Sequence, residues 1–226
     1  MNDGVGFAPV YEARDGLPVR LEAAPRQDSR GRPYLHHRLV VADGRPGAVV
    51  VAVRSGERED TPEVLLVRSL RYAVGQELWE LPRGSGEPED AVDRDRPADP
   101  DPVRGSGPDP HRPADPVSDP ASDPVGDAGL RAGLRELAEE TGFTAARSEL
   151  LGGYVVDSTV FPQRVCAVLC EIDASREPGD VDGEVEESRW FSRDEVVGMI
   201  RSGAVADAHS LSALLLWLLP AIPTRS

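Results

Sequence analysis

Three glutamates follow an arginine within one short stretch of the chain, Arg135–Phe143. Glu136 lies three residues before Glu139 and four before Glu140, so on a helix their carboxylates are close neighbours. Like charges at these spacings repel and weaken the helix slightly. Mg²⁺ would relieve this repulsion, because it binds oxygen ligands and commonly keeps substrate phosphates in its coordination shell. The segment therefore predicts a site that holds a divalent metal ion against a phosphate, with a solvated acidic helix face as the alternative.

The surrounding sequence predicts that these glutamates lie on an amphipathic helix at about residues 128–141. Asp127 is suited to the N-cap of this helix and Gly142 to its C′ position. Leucines recur upstream and within the segment at helical spacing and would form a core-facing stripe, with the glutamates off that stripe. The leucines of this stripe are Leu130, Leu134 and Leu137.

An apolar strand end upstream of this helix breaks into a glycine-rich loop, at residues 78–88. With this loop, the chain resembles the Nudix hydrolase family, whose signature reads Gx5Ex7REUxEExGU, where U is an aliphatic or aromatic residue. Residues 135–143 match the second half of the signature, and Gly84 matches its opening glycine. The first acid of the signature would be Asp90 or Asp127, and the sequence leaves both open. With either acid, a large insertion splits the signature.

The insertion, residues 91–126, contains the dipeptide Asp-Pro six times and almost no apolar side chains. Proline lacks the amide donor and restrains the residue before it, so both helix and sheet are disfavoured. The insertion is therefore predicted to be a disordered, partly polyproline-II loop. A regulatory or partner-binding role is the alternative to a low-complexity insert without a role of its own.

The remaining sequence predicts a single α/β (α+β) domain at residues 46–226, interrupted by the insertion. The resemblance implies a Nudix-like mixed β-sheet sandwiched between helices. Residues 1–45 are interpreted as an N-terminal extension that could form a small sheet for dimerisation, as in nucleotide-sugar members of the family. Strands are predicted at residues 48–53, 64–67, 150–156 and 164–172 and ending near 191, and helices at about 192–201 and 207–219.

The overall charge and the cysteines limit the partners. A net charge of −15 and a pI of about 4.7 argue against a nucleic-acid or anionic membrane surface. No apolar run is long enough to span a bilayer, and the N-terminus lacks the pattern of a secretory signal. Cys166 and Cys170 lie on one predicted strand, too far apart to bridge each other. We therefore expect a cytoplasmic protein with reduced thiols and a small-molecule substrate.

The resemblance also implies a role for the residues of the signature. The metal ion would be Mg²⁺, with Mn²⁺ able to replace it, and Arg135 would orient the carboxylates by charge-assisted hydrogen bonds. The metal ligands would be the carbonyl oxygen of Gly84 and the side chains of Glu136, Glu139 and Glu140.

The general base and the substrate contacts would lie partly outside the signature. The base would be a glutamate of the signature or an acid of the loop at residues 180–187, where the resemblance favours Glu184. An acidic protein that binds an anionic substrate needs local positive charge, which Arg68 and Arg71 would supply, and the resemblance to the family favours Arg71. Glu80 is predicted to contact the substrate with them. Two exposed arginines at a strand end, without a role, are the alternative reading of Arg68 and Arg71.

The implied reaction is metal-dependent hydrolysis of the pyrophosphate bond of a nucleoside diphosphate derivative. Arg71 and the segment Gly203–Leu215 resemble the ADP-ribose pyrophosphatase-like subgroup, so ADP-ribose or a related nucleoside diphosphate sugar is preferred, giving a nucleoside monophosphate and a sugar phosphate. The subgroup often has a proline where this chain has Thr159, with Pro162 nearby. Other nucleoside diphosphate sugars and dinucleoside polyphosphates therefore stay open. The alternative function is a catalytically weak Nudix-like nucleotide sensor or interaction module, including one that works through the insertion.

Overall fold

Strands and helices interleave along the chain in the computed structural model, which describes residues 6–56, 62–91, 124–173, 178–181, 183 and 185–219. The strands are β1 (Ala8–Ala13), β2 (Val19–Gln27), β3 (Pro33–Val41), β4 (Gly47–Ser55), β5 (Pro62–Arg71), β6 (Gln76–Glu80), β7 (Arg83–Ser85), β8 (Ala145–Val155), β9 (Arg164–Ile172) and β10 (Glu187–Ser192). The helices are α1 (Pro124–Thr141), α2 (Arg193–Ser202) and α3 (Ala208–Leu218).

The strands form two sheets. The first is antiparallel, with the order β1-β2-β3, and lies within the predicted N-terminal extension. The second has the order β10-β5-β4-β9-β8, with β6 paired to β5 and β7 paired to β4. It is mixed, because β4 and β9 run parallel while their other pairings are antiparallel. The predicted α+β fold with a mixed sheet is confirmed.

Helices cover both faces of the second sheet. Because successive side chains of a strand point to opposite faces, β4 divides its valines between two clusters. Val49 and Val51 pack on the side of α2 and α3, and Val50 packs on the side of α1 with Leu137. A strand buried on both faces is apolar throughout, which explains why β4 was recognisable in the sequence.

Helix α1 begins earlier than predicted. It starts at Pro124, so residues 124–126 belong to the helix and not to the insertion, and Asp127 lies in the first turn instead of at the N-cap. Proline is well suited to the first turn, where its missing amide hydrogen costs nothing. The last Asp-Pro dipeptide is therefore a helix start. Residues 92–123, on which the prediction of disorder falls, lie outside the described part of the chain.

The buried face of α1 also differs from the predicted leucine stripe. Leu137 is fully buried and Leu130 packs against the same core cluster, but 36% of Leu134 is exposed. Two glycines also lie at the contact with the sheet: a Cβ at Gly129 would lie 2.3 Å from Cys166 Sγ, and one at Gly133 would lie 3.0 Å from Val168. This close approach turns Leu134 outward and turns two of the glutamates inward, as described below.

The remaining elements agree with the sequence except at their ends. Strand β9 has the predicted bounds, whereas β8 begins at Ala145, earlier than predicted. Ser192 caps α2 in a capping box with Glu195, and the side chain of Asp207 caps α3. Among the described helices, none combines the length and the apolar character needed to cross a bilayer.

Candidate active site

Two glutamates of α1 lie against the short strand β7. The carboxylate of Glu136 is packed on the backbone of Gly84, where a Cβ would lie 2.0 Å from Glu136 Oε1. Only glycine leaves room for this contact. One helical turn later, Glu140 Oε2 accepts a hydrogen bond from the backbone amide of Arg83 at 3.0 Å. The opening glycine of the signature and its glutamates, distant in sequence, therefore meet in the structure.

Arg135 connects the glutamates to each other. Its Nη2 lies 3.0 Å from Glu136 Oε1, and its Nη1 lies 2.8 Å from Glu139 Oε2. Nη2 also donates to the carbonyl oxygen of Ser85 at 2.9 Å, so the guanidinium group is tied to the same strand as Gly84. These contacts are those of a residue that orients carboxylates.

Asp90, not Asp127, is the acid that lies in this site. Asp90 is buried, and its Oδ2 lies 3.3 Å from Arg135 Nη2. The same oxygen accepts a hydrogen bond from the backbone amide of Glu87 at 2.7 Å. Asp127 is exposed on the first turn of α1. Of the two alternatives left open by the sequence, the structure brings Asp90 to Arg135.

Burial makes Glu136 an unusual carboxylate. Desolvation raises its pKa, and Glu139 raises it further, so that the pKa reaches about 7 although Arg135 opposes the shift. Burial by itself lowers the pKa of Arg135, but Glu136 and Asp90 outweigh that effect and leave the pKa above its ordinary value. In the protein alone, the charge of Glu136 is therefore poorly compensated at neutral pH.

These residues are chemically suited to Mg²⁺. All the candidate ligands offer oxygen atoms, as Mg²⁺ requires, and a cation next to Glu136 would favour its ionised form. Within the described ranges, no three His, Cys, Asp or Glu side chains are gathered into a preformed metal cluster. Arg135 instead contacts Glu136 and Glu139, while Glu140 accepts from Arg83. The donor chemistry fits the metal, and Arg135 is the competing partner that metal binding would displace in part.

A second charged group lies beside the first. Glu80 is fully buried, and its Oε2 accepts from Arg71 Nε at 2.6 Å. Arg83 Nη2 lies 3.4 Å from both oxygens of the same carboxylate. Arg83 Nε also lies 3.9 Å from Asp207 Oδ1, at the start of α3. Glu80 thus holds two arginines, Arg71 and Arg83, and Arg83 directly precedes Gly84. Arg71 is one of the residues predicted from the sequence to contact the substrate.

Arg68 has different surroundings from those expected of a substrate residue. Its guanidinium group lies 2.6 Å from Glu77 Oε2 and 3.0 Å from Glu187 Oε2, across three neighbouring strands. Two carboxylates therefore already neutralise it. The proposed base, Glu184, lies outside the described residues, whereas Glu186 on the same loop is described.

The sequence interpretation left Arg83 without a role. The signal was present, because Arg83 directly precedes Gly84, but its contacts with Glu80 and Asp207 depend on the fold. The start of α3 was also missed as a buried neighbour of this group. There, Tyr154 Oη lies 2.8 Å from His209 Nδ1, and burial, aided by Arg83, lowers the pKa of His209.

Comparisons with known proteins agree with this geometry. Residues 125–214 match the sequence model of the NUDIX domain. Among solved structures, the crystal structure of an ADP compounds hydrolase superposes with a TM-score of 0.59 at 16% sequence identity, covering 94% of this chain and 89% of that chain. At this identity the likeness establishes the fold. No curated protein matches the chain. Residues 125–214 therefore contain a NUDIX domain, and the chain shares the fold of this hydrolase.

Proposed function

We propose that this protein hydrolyses the pyrophosphate bond of a nucleoside diphosphate derivative with Mg²⁺, or Mn²⁺ in its place. ADP-ribose or a related nucleoside diphosphate sugar is the preferred substrate, giving a nucleoside monophosphate and a sugar phosphate. The observation that supports this most is the packing of the Glu136 carboxylate on Gly84, next to Arg135. It joins the two halves of the family signature into one site despite the insertion.

The metal-binding group of this proposal consists of the carbonyl oxygen of Gly84 and the carboxylates of Glu136, Glu139 and Glu140. When bound, the metal ion would neutralise the diphosphate and polarise water. Arg135 holds Glu136 and Glu139 in place through one planar guanidinium group, which limits how far either carboxylate can turn. Closure of the site around these charges would strengthen every electrostatic contact within it.

The substrate phosphates would be bound by Arg71. Its Nε is fixed by the buried carboxylate of Glu80, and the side chain as a whole is about one-quarter exposed. A buried acid that holds a partly exposed arginine orients it for an anion at little further entropic cost. The general base stays a proposal as well: an acid of the loop at residues 180–187, with Glu184 preferred.

Two further proposals concern the state of the protein. A homodimer formed through the N-terminal sheet is supported by the exposure of its apolar side chains, among them Val10, Tyr11 and Leu35. A cytoplasmic location is supported by two buried cysteines in the reduced form, Cys166 and Cys170, which are typical of a reducing compartment.

The experiment that tests the activity is a screen of ADP-ribose, other nucleoside diphosphate sugars and dinucleoside polyphosphates with Mg²⁺, with Mn²⁺ and with a chelator. Phosphatase-sensitive phosphomonoester is measured as the product. We expect metal-dependent release, greatest with ADP-ribose or a close analogue, and loss of release in Glu140→Gln. A folded, metal-loaded protein that binds these compounds without hydrolysing any would refute the enzyme and favour the sensor function.

A further inference from the structure

The end of α1 is joined to the chain that follows β9. Gly142 follows the helix with a φ of +70°, and its amide donates to the carbonyl oxygen of Ala138 at 2.9 Å. The carbonyl oxygen of Gly142 accepts from the amide of Gly179 at 2.8 Å. A Cβ at residue 142 would lie 2.4 Å from the carbonyl oxygen of Gly179 and 2.8 Å from its nitrogen. Gly142 is therefore required twice, for the backbone angle and for the contact with Gly179.

The other end of this segment is held by Arg68. The carbonyl oxygen of Arg68 accepts from the amide of Glu186 at 2.9 Å, and its guanidinium group lies 3.0 Å from Glu187 Oε2. Glu187 begins β10 directly opposite Arg68 in the antiparallel pair with β5. Gly179 is thus attached to the end of α1, and Glu186 and Glu187 are attached to β5.

We propose that Arg68 is a positioning residue that holds Glu186 and Glu187 on β5, while Gly142 holds Gly179 at the end of α1, the helix that carries the proposed metal ligands. Gly142 lies two residues after Glu140, and Asp180 directly follows the contact made by Gly179. Arg68 lies on the same strand as Arg71, which contacts the buried Glu80. The contacts at Gly179 and at Glu186 and Glu187 therefore connect this part of the chain to the helix of the proposed metal ligands and to the strand of Arg71.

The charges around Arg68 separate this role from a direct contact with the substrate. Glu77 and Glu187 both pair with Arg68, so an anionic substrate would have to compete with two carboxylates. Arg71 shares its only paired carboxylate among the described side chains, Glu80, with Arg83. The ion pairs of Arg68 are partly exposed, and pairs of this kind contribute little energy. The expected changes in kcat on replacing Arg68 are therefore several-fold and not orders of magnitude.

Amide hydrogen exchange tests the attachment without substrate or metal. Gly142→Ala should speed exchange in peptides that cover residues 178–187. Gly203→Ala is the matched control, because Gly203 also follows a helix at a positive φ, +79°, but a Cβ there would meet nothing within 4 Å. Arg68→Ala should speed exchange in the same peptides to a smaller extent. Unchanged exchange in both Gly142→Ala and Arg68→Ala would overturn the proposal.

A kinetic test rests on the proposed hydrolysis. Arg68→Ala should lower kcat about two- to fivefold with little change in KM, since an ion pair of this kind is worth up to about 1 kcal/mol. Glu187→Ala should lower kcat by no more than Arg68→Ala does, because Arg68 also pairs with Glu77. The double variant should lose no more than Arg68→Ala alone, and Arg68→Lys should restore part of kcat. Arg147→Ala removes exposed ion pairs with Glu149 and Glu171 on the same sheet and serves as the control.

The outcomes of the two tests are distinguishable. A higher KM with unchanged kcat in Arg68→Ala would show that Arg68 contacts the substrate and would overturn the positioning role. Additive effects of Arg68→Ala and Glu187→Ala would overturn it as well, because the two residues would then act independently. A wild-type protein that hydrolyses none of the compounds, with the exchange pattern as expected, would refute the proposed hydrolysis and leave the attachment of the segment supported.

Discussion

Replacing Gly84 by alanine tests the contact on which the site depends. The added Cβ would lie 2.0 Å from Glu136 Oε1, 2.1 Å from Cδ and 2.3 Å from Oε2. Non-bonded carbon atoms pack at about 3.5 Å, so the carboxylate must move by more than about 1 Å. Glu136 is buried and contacts Arg135, so this movement disturbs both residues.

The expected magnitudes follow from this displacement. Overpacking in a buried region costs about 1–3 kcal/mol, so the free energy of unfolding of Gly84→Ala should fall by that amount. A misplacement of about 1 Å in an active site can cost about 10²-fold in rate, so kcat with Mg²⁺ should fall by about that factor. Chemical denaturation and steady-state hydrolysis of the best substrate measure the two effects.

Matched variants separate the steric effect from a general effect of alanine. Gly198→Ala, in α2, has nothing within 4 Å of its added Cβ, so it should keep kcat and should raise stability by up to about 1 kcal/mol. The double variant Gly84→Ala, Glu136→Ala removes the clashing carboxylate, so it should regain stability but not activity. Gly84→Ala with the stability and the kcat of the wild type would show that Glu136 can leave Gly84 without consequence, and the reasoning about this site would be wrong.

Three further predictions follow from the same geometry. Glu140→Gln should lower kcat at least about 10²-fold, and Glu139→Gln nearly as much, because each removes a proposed metal ligand. Near-normal turnover in both variants would show that neither carboxylate holds the metal ion. Arg71→Ala should raise KM more than it lowers kcat. It should also destabilise the fold, because the buried Glu80 is then left with the more distant Arg83 alone. Unchanged kinetics would show that Arg71 does not bind the substrate. Burial raises the pKa of Glu136 in the folded protein to about 7, whereas in the unfolded chain it is about 4.5, so between these pH values only the folded state keeps the carboxyl proton. With metal ions removed by a chelator, raising the pH from about 4.5 to above 7 should therefore lower the free energy of unfolding by up to about 3 kcal/mol. Urea denaturation at several pH values should show this slope in the wild type and a smaller slope in Glu136→Gln.

The sequence predicted the parts of the fold that local patterns determine. Strand β9 has the expected bounds, and β4 was recognisable because both of its faces are buried. Gly142 lies at a positive φ after α1, as a C′ glycine should. The contact between Gly84 and Glu136 could be expected only from the family signature. The two residues are far apart in sequence, so no local pattern of residues predicts that they meet.

The face that α1 turns to the sheet could not be predicted from the helix sequence. Helical spacing suggested the leucines, but Gly129 and Gly133 allow the helix to approach β9 so closely that Cys166 and Val168 occupy the space of the missing side chains. Which stripe is buried therefore depends on residues more than thirty positions away. The close approach at these glycines accompanies the burial of Glu136 and Glu140, although both lie off the leucine stripe.

The roles of the arginines depend still more on distant partners. Arg68 and Arg71 lie on one strand and looked equivalent in the sequence, but Arg68 contacts two partly exposed carboxylates and Arg71 contacts a fully buried one. An arginine held by a buried carboxylate keeps its position when the substrate is absent, because releasing it would leave an unpaired charge in the interior. Glu80 therefore decides which of the two arginines is held ready for an anion, and charge reversal at Glu80 should impair substrate binding more than charge reversal at Glu77.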